Sequence, residues 1–415
     1  MSARGVVGLA AWLALPLQAQ EERREPVLVI RAAKILTMGP RGAIDHGAIV
    51  VRGGKIVEVG ENVKVPDGAT VLDAGDAWAL PGLVDLHCHS GNASWWDINE
   101  MNHPVNPELS IRPVVEPDNE LLRDAVAGGV TTVLYIPGSG TNLGGFGVLM
   151  KTGGGRSTED LLVRFPGAMK VAQAWNPERW GGDLGASRMG MWWILRRQLD
   201  RAKAYHEAWS NYEKGLTKIR PDRNAGLDLM RGLFAGKVPV IIHTADARDI
   251  MGTVRIFHEE YGLAVILSHG EDNAYRMAPE IARRGLHVDV GPRLYDPPFW
   301  SFRDRFIGIA SEYWDGGVRR LSINTDSPVV PEQDFMFQAA MAVRHGLPER
   351  VALEAVTIAP ARAVLAEDRV GSLEPGKDAD VVLWSGPPLD VRSHVRTTII
   401  RGRVVYDAVR DGRRY

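Results

Sequence analysis

Between residue 81 and about residue 360, short apolar segments alternate with longer segments of helical periodicity. This alternation predicts βα units wound around a parallel sheet. The eight strand candidates are, in chain order, GLVDLHCH, VTTVLYIPG, FGVLMKTG, AMKVAQAW, VPVIIHT, LAVILSH, GLHVDVG and RLSINTD. Eight such units predict an α/β fold of the (β/α)8 TIM-barrel type, whose reactive groups lie where strands end and loops begin. The glycines around FGVLMKTG would equally suit a hairpin at that point.

Both chain ends consist of short β-rich segments without helices, at residues 27–80 and again from residue 376 onwards. Neither piece could bury both faces of a sheet alone. The two ends are therefore expected to meet as one small β-sandwich beside the barrel. The expected domains are N-terminal sandwich strands at 20–80, the barrel at 81–360 and C-terminal sandwich strands at 361–415.

Residues 1–19 have the layout of a secretory signal peptide, with Arg4 before a short apolar stretch and a small residue, Ala19, at the expected cut. The stretch is shorter than the ~20 apolar residues that a membrane span needs. The sequence therefore predicts an exported protein, periplasmic or secreted, without a membrane span after cleavage. Because Cys88 is the only cysteine, the fold is expected to have no internal disulfide.

Positive and negative side chains are balanced along the chain. Lys plus Arg total 49 and Asp plus Glu total 51, which gives a formal net charge of −2. Such a surface has no dominant field for holding nucleic acid or an anionic membrane. A small-molecule substrate is the expected partner.

Two histidines, His87 and His89, lie at the end of the first strand candidate. Residues two apart project from the same face of a strand, so the two imidazoles point together. Three further strand candidates end in an ionisable group, at His243, His269 and Asp326. These groups would converge on one rim, where a divalent cation would offset the crowding of polar groups in a low-dielectric mouth. Nitrogen and oxygen ligands without thiolate favour Zn²⁺, with Mn²⁺, Co²⁺, Ni²⁺ or Fe²⁺ as further candidates.

With these residues in view, the chain resembles the amidohydrolase superfamily of metal-dependent hydrolases. The resemblance rests on PGLVDLHCHS after a β-rich start, on the strand-end residues His243, His269 and Asp326, and on VGSLEPGKDADVVLW. It implies the barrel and sandwich architecture. A narrower resemblance, in PGSGTNLGGFGVLMKTGG and AMKVAQAWNPERW, is to a bacterial imidazolonepropionase-like or prolidase-like subgroup. That subgroup usually has Gly-Glu-Asn-Pro where this chain has Ala-Trp-Asn-Pro, so Trp175 stands in place of a glutamate.

The resemblance implies hydrolysis of a C–N bond in a small amide, cyclic amide or dipeptide-like substrate by a metal-activated hydroxide. It implies one or two divalent metals per chain, with six ligands: His87, His89, Lys170, His243, His269 and Asp326. Lys170 falls where many members carry a lysine carboxylated by CO2, and Lys151 is its rival for that role. Asp326 would be both a ligand and the proton shuttle.

Two other functions stay open at this point. Asp246, three residues after His243, faintly resembles the pattern of deaminases that use one metal, although an aspartate that begins a helix is the commoner interpretation. The other alternative is a barrel that has lost catalysis and serves as a binding protein. Retention of every strand-end ligand argues against it.

Overall fold

A computed structural model of the chain describes residues 25–178, 184–301 and 304–415. The predicted signal peptide at residues 1–19 lies outside these ranges. Within them, no helix is both long and apolar enough to cross a membrane.

The strands are β1 Val27–Leu36, β2 Ala43–Arg52, β3 Lys55–Gly60, β4 Thr70–Asp73, β5 Trp78–Pro81, β6 Leu83–Cys88, β7 Val130–Tyr135, β8 Leu143–Phe146, β9 Val148–Lys151, β10 Leu162–Arg164, β11 Met169–Ala172, β12 Val240–Thr244, β13 Val265–His269, β14 His287–Val290, β15 Tyr295–Asp296, β16 Ile307–Gly308, β17 Arg320–Ile323, β18 Val381–Trp384, β19 Val395–Ile400 and β20 Arg403–Asp407.

The α-helices are α1 Glu120–Ala127, α2 Thr158–Leu161, α3 Arg188–Glu213, α4 Ala225–Asp228, α5 Arg231–Phe234, α6 Ala247–Thr253, α7 Ala278–Arg283, α8 Pro298–Ser301, α9 Ile309–Asp315, α10 Phe335–Arg344, α11 Glu349–Ala355 and α12 Ile358–Ala363. Short 3₁₀ helices lie at Trp95–Ile98, Arg112–Val114, Ala274–Met277 and Glu332–Asp334, and a π-helix at Val254–Glu260 continues α6.

The two chain ends meet in one eight-stranded sheet, and their packing as the β-sandwich that the sequence predicts remains a prediction. Its order is β20-β19-β18-β5-β1-β2-β3, with β4 paired to β1. The C-terminal strand β18 pairs antiparallel with β5, which directly precedes the central strands. Both ends contribute to one apolar core, which includes Ile30, Ile35, Ile49, Val381 and Ile399. The division into domains at residues 80 and 360 remains a prediction.

The central strands form two groups, β10-β9-β7-β6 and β17-β14-β13-β12-β11-β8. β6 pairs parallel with β7, and the run from β11 through β14 to β17 is parallel throughout. Every residue of β6, β11 and β14 is buried, as expected of parallel strands covered on both faces. A parallel bridge between Cys88 and Ser327 links β6 to the segment after β17.

One of the eight predicted parallel strands runs in the other direction. FGVLMKTG contains β9, which pairs antiparallel with both β7 and β10. β8, just before it, pairs antiparallel with β11. The prediction of a βα unit was wrong there, because the connection from β7 to β9 is rich in glycine and itself holds β8. It therefore supplies no crossover helix, which a parallel return requires.

Helical periodicity in the sequence marks residues 118–129, 190–215, 247–262, 275–285 and 349–366. These segments hold α1, all but the first two residues of α3, and α6, α7, α11 and α12. The longest helix, α3, begins after Ser187, whose side chain accepts a hydrogen bond from the backbone of Gly190. It is followed by Gly215 with a left-handed backbone (φ +71°), the usual residue just past a helix end. Local end signals therefore suffice to place this helix.

A buried ion-pair cluster, here called the junction cluster, joins the central strands to the end sheet. Lys151 of β9 is fully buried, and its ammonium lies 3.2 Å from Asp378 and also contacts Asp380. Asp378 contacts Lys55 at 2.6 Å and Arg369 at 3.0 Å as well. Burial opposes the ionisation of Asp378, but these cations lower its pKa to about 2. The cluster therefore links three distant parts of the chain through one carboxylate.

Candidate metal centre

The four histidines and the aspartate predicted at strand ends converge at one place. Ligand atoms within 4.8 Å of one another form two groups, one of His87, His243 and His269 and one of His87, His89 and Asp326. His87 belongs to both groups. The carboxylate oxygen Oδ1 of Asp326 lies 3.2 Å from His89 Nε2 and 3.4 Å from His87 Nε2. The parallel strands thus bring together residues up to 239 positions apart, as their carboxyl ends share one edge.

Two of the imidazoles are held by backbone carbonyl groups. His89 Nδ1 lies 2.9 Å from the carbonyl oxygen of Ile136, and His269 Nδ1 lies 2.5 Å from that of Gly291. Because a carbonyl oxygen only accepts, each Nδ1 must carry the proton of its neutral ring. In the neutral form of each ring, the Nε2 atom therefore has a lone pair that it can donate to a cation.

The other two imidazoles are held by serine hydroxyl groups. His87 Nδ1 lies 2.6 Å from Ser268 Oγ, and His243 Nδ1 lies 3.0 Å from Ser139 Oγ. All four rings are thus anchored through Nδ1. This arrangement leaves Nε2 as the atom that each ring can offer to the shared volume.

Burial keeps the imidazoles of His87, His243 and His269 neutral. It is the largest cause that lowers the pKa of His87 and of His243 well below the usual value, and it lowers the pKa of His269 to about 4. Burial opposes the ionisation of Asp326, but the nearby side chains of His89, His269 and Lys170 hold its pKa below the ordinary value. Neutral imidazoles and an ionised carboxylate are the forms that bind a divalent cation.

Lys170 of β11 points at the same place. Its Nζ atom lies 2.8 Å from His87 Nε2, and the side chain is fully buried. Burial lowers the pKa of Lys170 to about 7, although Asp326 and Asp289 oppose the shift. A lysine amine that is partly unprotonated at neutral pH can react with CO2. Lys151, the rival from the sequence, is instead held in the junction cluster, so the geometry favours Lys170; its carboxylation remains a prediction.

Comparisons with known proteins identify the family. A profile of the amidohydrolase family matches residues 335–406, from α10 to β20. The crystal structure of an amidohydrolase from Thermotoga maritima MSB8 matches with a TM-score of 0.82 at 30% sequence identity, over 92% of this chain and 100% of that one. The chain belongs to the amidohydrolase superfamily. The superfamily predicted from the sequence is thereby confirmed, and with it a fold of the TIM-barrel type.

Two further proteins resemble the present chain less closely. Amidohydrolase tasK of Hapsidospora irregularis is 27% identical over 368 residues, which cover 81% of this chain and 37% of tasK. The chain therefore spans little more than a third of that relative's length. A prolidase in complex with N-methylphosphonate-L-proline matches with a TM-score of 0.55 at 18% identity, over 92% of this chain and 100% of that one. That likeness shows the shared fold.

The residues of this amidohydrolase fit a divalent cation, which the family generally uses. His269 Nε2 is buried and has no hydrogen-bond partner among the described residues. Its ring centroid lies 4.4 Å from that of His87 and 4.2 Å from that of His243. A buried acceptor without a partner costs about 1–3 kcal/mol. A cation between these rings would remove that cost, because it would accept the lone pair.

Two site residues have a left-handed backbone, His269 with φ +70° and Asp326 with φ +49°. This conformation is uncommon outside glycine and persists where the surroundings determine it. Next to His269, the backbone N–H of Gly270 donates to the carbonyl of Thr244 at 3.1 Å. The hydroxyl of Tyr313 donates to the carbonyl of Gly270 at 2.8 Å. These bonds hold the chain at the end of β13 in the form that turns His269 into the site.

The structure shows where Trp175 and Asp246, which bear on the alternatives left open by the sequence, lie relative to the site. Trp175 lies three residues past β11, is 61% exposed and supplies no carboxylate to the site. Asp246 caps α6 by accepting a hydrogen bond from the backbone of Asp249 at 2.9 Å. The interpretation of Asp246 as a helix-initiating residue is confirmed, which weakens the single-metal alternative. Asp85 accepts a hydrogen bond from the backbone of His87 at 2.9 Å, so it holds the main chain of that residue.

Sequence reasoning missed three residues that contact the site, directly or through one neighbour: Ser139, Ser268 and Asp289. A signal for Asp289 exists in HVDVG, because an acid between valines on a buried strand needs hydrogen-bond partners. Nothing local marks Ser139, since its contact with His243 joins residues 104 positions apart. Such pairs become visible only when the strands are assembled.

Proposed function

We propose that this amidohydrolase is a divalent-metal-dependent hydrolase that cleaves a C–N bond of a small amide, cyclic amide or dipeptide-like substrate. The observation that carries the proposal is the convergence of four Nδ1-anchored imidazoles and the Asp326 carboxylate within one small volume. Nitrogen and oxygen donors without thiolate suit Zn²⁺, and Mn²⁺, Co²⁺, Ni²⁺ or Fe²⁺ are compatible with the same donors.

The donors divide between two cations in our proposal. The ligands of the first cation would be His87, His89 and Asp326, those of the second His243 and His269, and Lys170 as a carbamate would join them. The contact of 2.8 Å between the Lys170 amine and His87 Nε2 supports this role for Lys170. Bound there, a divalent cation would lower the pKa of a water molecule and polarise a carbonyl oxygen.

Asp326 is the residue to which we assign the proton transfers. Its side chain contacts His89 and is 19% exposed, so it can still contact a substrate. Because its pKa lies below the ordinary value, it is ionised at neutral pH. It can accept a proton from the water whose oxygen bonds to the carbonyl carbon, and return that proton to the nitrogen as the C–N bond breaks. The products are then an acid and an amine.

Exposed apolar side chains lie on loops that also hold site residues. Trp175 follows β11, and Val329, which is 65% exposed, donates its backbone N–H to the carbonyl of Asp326 at 2.9 Å. Met101, 38% exposed, packs its sulfur against Gly140, next to the serine that anchors His243. These side chains support a substrate that carries an apolar group beside the scissile bond.

Three architectural points belong to the same proposal. We propose that the central strands close into a (β/α)8-type barrel with one antiparallel strand, which the hydrogen bond of 2.8 Å from His89 N to the carbonyl of Ser327 supports. The end sheet would form the β-sandwich, with domain limits near residues 80 and 360. The protein would be exported to the periplasm or medium, with cleavage of the signal peptide near Ala19.

The test is hydrolysis by the full-length protein before and after a chelator removes metal. The panel contains dipeptides, N-acyl amino acids, lactams and hydantoins, and released amine and released ammonia are measured separately. We expect hydrolysis of at least one class, loss of activity on chelation and recovery with Zn²⁺ or Mn²⁺. Undiminished hydrolysis by protein shown to be free of metal would overturn the proposal. Ammonia release by protein with one cation per chain would favour the deaminase-like alternative, and tight metal binding without hydrolysis would favour a binding protein.

A further inference from the structure

Behind His87 lies a buried carboxylate, that of Asp289 in β14, which is fully enclosed. Its Oδ1 atom accepts a hydrogen bond from Ser322 Oγ at 2.5 Å. Its Oδ2 atom accepts from Ser268 Oγ at 3.3 Å and from Asn324 Nδ2 at 3.1 Å. These three donors are neutral. Burial of a carboxylate is costly, so a carboxylate kept at this position suggests a role beyond packing.

Ser268 joins this carboxylate to the candidate metal centre. Its hydroxyl oxygen lies 2.6 Å from His87 Nδ1 on one side and 3.3 Å from Asp289 Oδ2 on the other. A hydroxyl has one proton. Burial raises the pKa of Asp289 to about 7, although the hydrogen bonds from Ser322, Ser268 and Asn324 oppose the shift, so its ionised form, which only accepts, is present at and above neutral pH. The proton of Ser268 therefore goes to Asp289, and the serine oxygen is left to accept from His87. In that arrangement His87 carries its proton on Nδ1 and presents Nε2 as a lone pair.

We propose that Asp289 is a positioning residue that sets, through Ser268, the tautomer and orientation of His87 for cation binding. The inference rests on the proposed metal centre. His89 and His269 obtain the same tautomer from backbone carbonyls, which can only accept. His87, which is shared by both groups of candidate ligands, contacts a hydroxyl, which could equally donate. Asp289 removes that freedom because it takes the hydroxyl proton.

The other side of Asp289 offers a matched control. Ser322 donates to Oδ1 of the same carboxylate, and its oxygen lies 2.7 Å from His287 Nε2. His287 is buried and lies at the start of β14, away from both groups of candidate ligands. Ser322→Ala therefore removes a buried hydroxyl from Asp289, as Ser268→Ala does, but leaves the contact with His87 intact.

The experiment compares the Zn²⁺ affinity of full-length wild type, Ser268→Ala and Ser322→Ala by competition with a chromophoric chelator. Thermal unfolding of each metal-free protein reports stability. We expect Ser268→Ala to lose about 10- to 100-fold in affinity, the usual effect of removing a partner of a metal-binding histidine. Ser322→Ala should bind with close to wild-type affinity, while the two variants lose similar thermal stability. Equal affinities of the two variants would overturn the inference.

A double-mutant cycle tests whether Asp289 acts through Ser268. Asp289→Asn keeps the side-chain shape and removes the charge, and we expect it to lower Zn²⁺ affinity about tenfold in the wild-type background. In the Ser268→Ala background it should add little, because the path to His87 is already broken. Additive losses would contradict the proposed path from Asp289 through Ser268 to His87 and indicate that Asp289 acts elsewhere, for example on Lys170.

Imidazole ¹⁵N shifts of the metal-free protein give a second readout that loss of stability would not change. They should show the Nδ1–H tautomer of His87 in wild type and Ser322→Ala, and its loss in Ser268→Ala. An unchanged tautomer in Ser268→Ala would contradict the inference. If wild type itself binds no divalent metal, the proposed function fails. If wild type binds metal while both serine variants have the same Zn²⁺ affinity and the same His87 tautomer, only the positioning role of Asp289 fails.

Discussion

Replacing Asp326 with asparagine separates proton transfer from metal binding. Asparagine keeps an oxygen for a cation but cannot hold a proton between water and the leaving nitrogen. Proton transfer by a positioned side chain contributes about 10²–10⁴-fold to a rate, which corresponds to roughly 3–5 kcal/mol of barrier. The four imidazoles stay anchored through contacts that do not involve Asp326. We therefore expect Asp326→Asn to lower kcat by at least about 10²-fold while most of the metal stays bound.

The assay measures kcat on the best substrate of the panel together with the metal content of the same preparation. Asp246→Asn is the matched control, because Asp246 also follows a strand-end histidine but caps α6, and asparagine caps a helix as well as aspartate does. This control should keep wild-type kcat and metal content. Wild-type kcat in Asp326→Asn would refute the assignment, and a large loss of kcat in Asp246→Asn would support the single-metal alternative.

Four further substitutions probe other parts of the protein. Lys170→Met should lower the metal content per chain and abolish hydrolysis. Lys151→Met should keep its metal when folded but unfold at lower temperature, because an unpaired buried charge costs about 3–5 kcal/mol. Metal analysis and thermal unfolding measure both effects, and the opposite assignment of the effects to the two variants would contradict the prediction. Asp378→Asn should be less stable than wild type by about 2 kcal/mol at neutral pH, because the pKa of Asp378 is lowered to about 2 in the folded protein. A carboxylate whose pKa is lowered by folding stabilises the protein above its unfolded pKa near 4, and this stabilisation is lost as the pH falls toward the folded pKa. The difference in free energy of unfolding between wild type and Asp378→Asn should therefore shrink as the pH falls from about 4 toward 2. A difference, measured by denaturant unfolding, that is the same at pH 3 as at pH 7 would contradict the prediction. Trp175→Ala should lower kcat/KM roughly tenfold for substrates with a large apolar group, by loss of ~1.4 kcal/mol of contact, and leave small substrates unchanged; an equal loss for both would place Trp175 outside substrate recognition.

The site could be predicted from the sequence because its main residues share one position in a repeated pattern. His87, His243 and His269 each lie at or next to the last residue of an apolar strand, and parallel strands end at a common edge, so their convergence follows from the fold class. The direction of β9 could not be predicted with the same rule. Its composition suits a buried strand in either direction, and only the missing crossover helix decides between them.

The two lysines show a second limit of sequence reasoning. Lys151 and Lys170 both lie in short apolar strands, so their local sequences do not distinguish them. Asp378 and Asp380, which hold Lys151, are more than 220 positions away in the chain. The charge that decides the role of each lysine therefore comes from tertiary contacts. The same holds for Ser268 and Asp289, whose link to His87 crosses three strands.

The most direct measurement of the central claim is anomalous X-ray scattering from crystals of the full-length protein grown with Zn²⁺, recorded on both sides of the zinc edge. We expect anomalous peaks between the Nε2 atoms of the four site histidines, with one peak beside Asp326 and a second near His243 and His269. Zinc bound only at other places, with the four imidazoles free of metal, would contradict the proposed metal centre and the hydrolytic mechanism that depends on it.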